Sequence, residues 1–275
     1  MAPKVWFITG TSSGLGREWA LAALERGDLV AGTARDAGRL AELARAHGER
    51  MLPLALDVTD RTSVIDAVAR AHSHFGRLDV VVNNAGYGLL AAVEESSEEM
   101  ARDMFDTNFF GALWVTQAVL PILREQGSGH ILQISSVAGI TAVPMLGLYS
   151  ASKWALEGMA EALAGEVRSF GVDVTIVEPG GYRTGQAARS RPAVTPLPAY
   201  QAMREVYTRQ GGGNLQGDPT ATRAAILALV DADEPPLRLL LGEGLLANIE
   251  ARYEERRQTW HQWEPVSVAA QGAGD

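Results

Sequence analysis

The chain has 275 residues, 47% of them hydrophobic and 21% charged, with no cysteine and a formal net charge of −9. The missing cysteines exclude a disulfide framework, a thiolate nucleophile and any Cys-ligated zinc or iron–sulfur centre. The acidic balance argues against nucleic acid or an anionic membrane as partner, and no apolar run has the length of a transmembrane span or a secretory h-region, so the expected location is the cytoplasm.

Residues 5–9 are a short apolar, β-branched run that reads as a buried strand. It leads into Thr9-Gly10-Thr11-Ser12-Ser13-Gly14-Leu15-Gly16, and a helical pattern follows to about Gly27. Strand, glycine turn and helix in this order are a nucleotide-binding context. Gly10 permits the tight turn, Gly14 lets the backbone approach a pyrophosphate, and Gly16 lets helix and strand pack closely. The helix N-terminus then offers free N–H groups to phosphates. Gly10, Ser12, Ser13, Gly14, Leu15 and Gly16 are therefore the predicted cofactor-binding turn. Residues 28–34 read as the second strand, with Arg35 directly after it. Ala34 stands where an NAD-specific carboxylate is expected, and an Arg at a strand end can grip a 2′-phosphate. NADP(H) is accordingly favoured, with NAD(H) the alternative. Asp36 reads either as an N-cap or as a displaced ribose acceptor.

A third strand is predicted at 51–56, ending in Asp57-Val58, and a helix at 60–75 capped by Asp60 or Thr62. A fourth strand at 78–82 ends in Asn83-Asn84-Ala85-Gly86, and strand C-terminal ends are where open parallel sheets bind ligands. His72 and His74, two apart, fall on different helix faces and read as surface residues; no metal site is expected. One long helix is predicted from about 94 to 126. Asn108 lies inside it, and because Asn disfavours helix interiors it calls for a functional or buried hydrogen-bonding role. A fifth strand follows at 130–135, a helix at about 149–170 with small residues suited to helix–helix packing, and a sixth strand at 172–177. The pattern dissolves at 185–217, apart from one short helical stretch at 200–210, and reads as a mobile substrate lid whose Arg189, Arg191 and Arg204 are candidates to face the substrate. Asp218-Pro219 starts a helix to about 230; a last strand at 237–241, a terminal helix at 243–260 and a frayed tail at 265–275 complete the chain.

The chemistry concentrates in residues 136–153. Tyr149 and Lys153 are four apart, so on a helix their side chains share one face. A free phenol titrates near pH ~10, but a neighbouring ammonium favours the phenolate and brings it toward useful acid–base range. Ser136, after the fifth strand, offers a hydroxyl, with Ser135 its adjacent competitor. Ser, Tyr and Lys together can hold a carbonyl oxygen and supply its proton.

These residues resemble the short-chain dehydrogenase/reductase family. The resemblance rests on five features in order: the TGTSSGLG turn, LDV at 56–58, NNAG at 83–86, the Ser136/Tyr149/Lys153 set and PGGYRT at 179–184. The wording VAGTAR and EPGGYRT is similar to the branch with retinol and 17β-hydroxysteroid dehydrogenases. The resemblance implies Tyr149 as general acid, Lys153 as its activator and ribose ligand, Ser136 as the group orienting the substrate oxygen, and Asn108 as support for a water in a proton relay. It implies Asp57 and Val58 at the adenine, Asn84, Ala85 and Gly86 at the adjoining ribose and phosphates, and Pro179, Gly180, Tyr182 and Thr184 at the carboxamide. Ser13 departs from NADP-preferring members with a basic residue there, which leaves the phosphate to Arg35. The expected fold is one doubly wound Rossmann domain over 1–264, a seven-stranded parallel sheet in the order 3-2-1-4-5-6-7 with helices on both faces. The expected function is an NADP(H)-dependent oxidoreductase acting on a small carbonyl or alcohol, as a homodimer or homotetramer. The alternative is a non-catalytic NADP-binding sensor or scaffold on the same fold.

Overall fold

The computed structural model describes residues 2–184, 191–192, 196–209 and 217–272, the side chains of 191, 192 and 208 excepted. Its strands are β1 (Val5–Ile8), β2 (Leu29–Ala34), β3 (Met51–Ala55), β4 (Val80–Asn83), β5 (Leu89–Leu90), β6 (Gly129–Ile134), β7 (Val172–Pro179), β8 (Arg191–Pro192) and β9 (Arg238–Leu241). Its α-helices are α1 (Gly14–Arg26), α2 (Ala41–His47), α3 (Arg61–Phe75), α4 (Glu98–Phe105), α5 (Gly111–Gln126), α6 (Gly147–Val167), α7 (Gln201–Arg209), α8 (Thr222–Val230) and α9 (Leu245–Gln271).

Seven strands form one sheet in the order β3-β2-β1-β4-β6-β7-β9, every neighbouring pair parallel. Counted within the sheet, this is the expected order 3-2-1-4-5-6-7. Both faces are covered, which is why the central strands read as unbroken apolar runs. Successive residues point to opposite faces. Phe7 packs with Val64, Val68, Val115, Val119 and Ala160 from α3, α5 and α6. Its neighbours Trp6 and Ile8 pack with Trp19, Leu24, Leu43, Ile226 and Leu229 from α1, α2 and α8. Each large side chain so buried contributes roughly 1.5–3 kcal/mol. The two buried indoles keep their N–H groups bonded, Trp6 Nε1 to Asp28 Oδ2 at 2.8 Å and Trp19 Nε1 to Thr222 Oγ1 at 2.8 Å.

Two expectations need correction, and one element was not expected. The helix expected over 94–126 is three pieces: α4, a π-turn Asp106–Phe110 and α5. Its start is set by Ser97, whose Oγ accepts from Met100 N at 3.1 Å, with Glu98 and Glu99 in the first turn. The tail expected to fray from 265 is helical to Gln271 with Pro265 inside. The residues around Pro265 are all exposed, so water can take the carbonyl that proline leaves without a donor. The short parallel pair β5–β8, joining Leu89 to Arg191, was not anticipated, because two-residue strands carry no periodicity. Among the described residues no helix is long and apolar enough to cross a membrane.

Candidate active site

The C-terminal ends of β1, β4, β6 and β7 converge on one rim of the sheet. At β1, Gly10 and Gly14 have φ of +73° and +63°, where a side chain would be strained. Gly16 is required for space: a Cβ there would sit 2.3 Å from Asn84 Nδ2 and 2.7 Å from Gly10 O. Asn84 is thus the brace of the turn, donating from Nδ2 to Thr9 O at 2.8 Å and Gly10 O at 3.1 Å. Thr9 completes the joint, its Oγ1 accepting from the backbone N–H of Asn84 and Ala85 at 2.9 Å each. Thr9 was missed as a joint residue because a Thr ending a strand looks ordinary. At the α1 N-terminus the Ser13 side chain makes no capping bond and the first turn holds no acid. The first-turn N–H groups and the helix dipole therefore suit an anion, and Ser12, Ser13 and Leu15 are half-buried beside them. This turn fits a dinucleotide pyrophosphate.

Further along the rim, Arg35 is exposed directly after β2. Asp36 is an N-cap, its Oδ1 accepting from Gly38 N at 2.9 Å, which settles the choice left open above. Asp60 caps α3, accepting from Thr62 N and Ser63 N. Asp57 is exposed, with Oδ1 accepting from Thr59 N at 3.0 Å and Thr59 Oγ1 at 2.8 Å, while Val58 is buried against Gly111.

The candidate catalytic set is built by β6, the π-turn and α6. Ser135 and Ser136 part company at the end of β6. Ser135 is buried and donates to Glu157 Oε1 at 2.5 Å. Ser136 is half-buried; its Oγ accepts from Ala138 N at 3.2 Å and lies 3.4 Å from Pro179 O as donor. Lys153 is buried, donates from Nζ to Ile134 O at 2.7 Å, and lies 5.9 Å from the centre of the Tyr149 ring. Burial lowers its pKa to about 8, against the opposing pull of Glu157. The Tyr149 ring packs on Leu89, Ala91, Met100 and Met104, with Tyr87 and Leu148 alongside. Asn108 sits in the π-turn, a distortion that often marks functional sites. Its Oδ1 accepts from Tyr87 N at 3.0 Å, and its Nδ2 donates to Tyr87 O and Ser152 Oγ, each at 3.0 Å. Ser152 in turn donates to Tyr149 O at 2.8 Å; it was not among the expected residues, being one small polar residue in a helix. A Cβ on Gly86 would lie 3.0 Å from Asn108 Oδ1 and 3.5 Å from Lys153 Nζ, so the NNAG segment reaches the same point. Met145, between Ser136 and Tyr149, is buried with φ of +69°, the one non-glycine in the left-handed region among the described residues.

Beyond β7, Gly180 N donates to Leu241 O at 2.9 Å, Tyr182 packs at the edge of the core, and Thr184 approaches Gly14, whose Cβ would lie 3.1 Å from Thr184 Cβ. The predicted lid helix is α7. Its Arg204 pairs with the fully buried carboxylate of Glu95, and Tyr200 donates to Glu94 Oε2 at 2.6 Å. Burial alone would raise the Glu95 pKa, but hydrogen bonds from Arg204 and from the N–H groups of Ala92 and Leu197 outweigh it and hold it low. Arg189 and the side chain of Arg191 lie outside the described residues. His72 and His74 are half-buried and exposed, respectively, and no cluster of potential metal ligands occurs among the described residues.

A glycine turn and a Ser136, Tyr149 and Lys153 cluster on one rim of a doubly wound sheet fit a nucleotide-dependent oxidoreductase architecture. Residues 4–195 match the family model described as short chain dehydrogenase, and the chain belongs to that family. It is 42% identical to Oxidoreductase BOA17 of Botryotinia fuckeliana over 97% of this chain and 99% of that one. A short-chain dehydrogenase from Streptomyces avermitilis superposes with a TM-score of 0.89 at 39% identity, covering 98% of each chain. Two further structures at 28% identity were solved with cofactor. A Burkholderia phymatum short-chain dehydrogenase/reductase, in complex with NAD, has a TM-score of 0.82 and covers 94% of this chain and 95% of that one. A Thermococcus sibiricus alcohol dehydrogenase, with 5-hydroxy-NADP, has a TM-score of 0.73 and covers 86% and 95%. Relatives therefore bind either dinucleotide.

Proposed function

We propose that the chain is an NADP(H)-dependent oxidoreductase that interconverts an alcohol and a ketone or aldehyde, with Tyr149 as general acid/base. The observation that carries this reading is the buried Lys153 ammonium one helical turn from Tyr149, beside a separately held Ser136 hydroxyl. When bound, the nicotinamide supplies or takes the hydride. Tyr149 gives its phenolic proton to the carbonyl oxygen during reduction and takes it back during oxidation. Lys153 favours the phenolate and so eases that transfer. Ser136 orients the substrate oxygen. Asn108 holds the Tyr87 backbone and Ser152 in place behind Tyr149 and supports the proton relay. The dinucleotide would be held by Gly10, Ser12, Ser13, Gly14, Leu15 and Gly16 at the phosphates. Arg35, Asp57 and Val58 would serve the adenosine end. Asn84, Ala85 and Gly86 would serve the ribose and phosphates adjoining the adenine, Tyr149 and Lys153 the nicotinamide ribose, and Pro179, Gly180, Tyr182 and Thr184 the carboxamide. The side chains packed against Tyr149 are apolar, which supports a neutral, apolar substrate. Gly158 and Gly165 on α6 face open space, which supports a homodimer or homotetramer packed through α5 and α6.

The test is cofactor consumption with a panel of apolar ketones and aldehydes, NADPH and NADH side by side, with Tyr149→Phe as control. Turnover with NADPH that falls by about 10²–10⁴ in the variant, with cofactor affinity retained, is the expected result. Near-normal turnover in Tyr149→Phe sinks the mechanism. Tight binding with no turnover under any condition favours a sensor or scaffold.

A further inference from the structure

Beside Lys153 and the end of β6 lies a second group of titratable residues that this mechanism does not use. Glu157 is on α6, one turn beyond Lys153, and is 5% exposed. Its Oε1 accepts from Ser135 Oγ at 2.5 Å and its Oε2 from Arg238 Nη1 at 2.7 Å. The same guanidinium of β9 reaches Glu178 Oε1 of β7 at 2.7 Å and Glu161 Oε2 of α6 at 2.7 Å. Space is committed to the arrangement as well. A Cβ on Gly139 would lie 2.4 Å from both Glu157 Oε1 and Ser135 Oγ.

The network grips the chain on both sides of the Ser136 hydroxyl. Ser135 is the residue before Ser136. Glu178 is the residue before Pro179, whose carbonyl faces Ser136 Oγ. Glu157 itself belongs to the helix that carries Tyr149 and Lys153. Three elements that must agree on the position of one substrate oxygen are thus tied through the Glu157 carboxylate and the Arg238 guanidinium, Glu157 holding Ser135 and Arg238 joining Glu157 to Glu178. Buried carboxylates are costly, and a hydrophobic set of equal volume would hold these elements at least as firmly if stability were all that was required.

We propose that Glu157 is a positioning residue for the reaction, locking the β6 end that carries Ser136 to the α6 face that carries Tyr149 and Lys153. This rests on the proposed chemistry of that set. A second consequence is electrostatic. Of the charged and titratable groups, Tyr149 and Glu157 of α6 face Lys153, and Glu157 favours its ammonium form. Glu157 is faced in turn by Arg238 of β9, with Glu178 of β7 and Glu161 of α6 around the same guanidinium.

The test compares wild type, Glu157→Gln, Ser135→Ala and the double variant in kcat, KM, thermal stability and the pH profile of carbonyl reduction. The Lys153 pKa is read separately by NMR on isotope-labelled lysine. Glu157→Gln keeps the shape and loses the charge. Its kcat should fall about 10- to 100-fold with KM within about threefold, as for a small misplacement of reacting groups. Its alkaline limb and the Lys153 pKa should both move to lower pH, because the carboxylate that favoured the ammonium is gone. Ser135→Ala should lose part of the same kcat, and the double variant should fall no further than Glu157→Gln, as coupled residues do. A folded Glu157→Gln with wild-type kcat and an unmoved Lys153 pKa overturns the proposal. So does a loss of thermal stability alone. If Glu157→Gln does not fold, Ser135→Ala decides, since it keeps the ion pairs, and wild-type kcat there overturns the proposal. The two failures are distinguishable: near-normal turnover in Tyr149→Phe removes the proposed chemistry, whereas Tyr149-dependent turnover untouched by Glu157→Gln removes only the positioning role.

Discussion

Arg35 directly follows β2, where the proposed site receives the adenosine end of the dinucleotide, and no carboxylate stands at Ala34 to receive a ribose diol. Asp36, the nearest acid, is occupied as the cap of the following turn through Gly38 N. The proposed preference for NADPH therefore rests on one guanidinium. Charge-assisted hydrogen bonds are worth about 1.5–3 kcal/mol, so Arg35→Ala should weaken NADPH binding by about 10- to 100-fold and leave NADH within about twofold. Titration of both cofactors by fluorescence or calorimetry checks this. Equal losses would make Arg35 an ordinary surface residue and return NAD(H) to equal standing.

At the scale of elements, the glycine turn is held by an amide from another strand. Asn84 reaches from the end of β4 to the carbonyls of Thr9 and Gly10, and Gly16 on α1 leaves room for it. A methyl group at Gly16 would displace the Asn84 amide and strand two carbonyls. Gly16→Ala should cost about 1–3 kcal/mol, the range for overpacking combined with lost buried hydrogen bonds, and should weaken cofactor binding with it. Urea denaturation and cofactor titration of the variant read the two effects. A variant as stable as wild type would show that the turn relaxes without Asn84.

Across the whole molecule, acid stability is tied to His130 in the middle of the sheet. It is 7% exposed on β6, and its Nε2 lies 2.9 Å from Thr175 Oγ1 of β7. Thr175 spends its proton on Pro236 O at 2.6 Å, so it accepts from the imidazole. Burial, with a smaller push from Lys4, lowers the His130 pKa to about 4, from 6.5. The folded state therefore keeps His130 neutral where the unfolded chain has bound a proton. Stability from this group is intact above about pH 6.5 and is lost as pH falls toward 4. At pH 5 the loss is on the order of 2 kcal/mol. His130→Gln, which keeps a donor for Thr175, should show a correspondingly smaller loss between pH 7 and pH 5 in denaturant unfolding. A loss equal to wild type would place the acid sensitivity elsewhere.

Local conformation was legible in the sequence. Three glycines, an Asn-Asn-Ala-Gly strand end and a Tyr-x-x-x-Lys helix face each carry their meaning in a few neighbouring residues, and continuous apolar runs announce a sheet covered on both sides. The strand order followed from the family those motifs resemble. The rest depended on atoms brought together from distant parts of the chain. Which of Ser135 and Ser136 turns toward Pro179 was decided by Glu157, 22 residues on from Ser135. The break that seats Asn108 was decided by the segment at Tyr87, whose backbone its amide must satisfy. Arg204 pairs with a buried acid more than a hundred residues earlier, which no local pattern encodes. Periodicity and turn chemistry report what the backbone does within a few residues, whereas hydrogen-bond partners for buried polar groups are assigned only when the sheet closes.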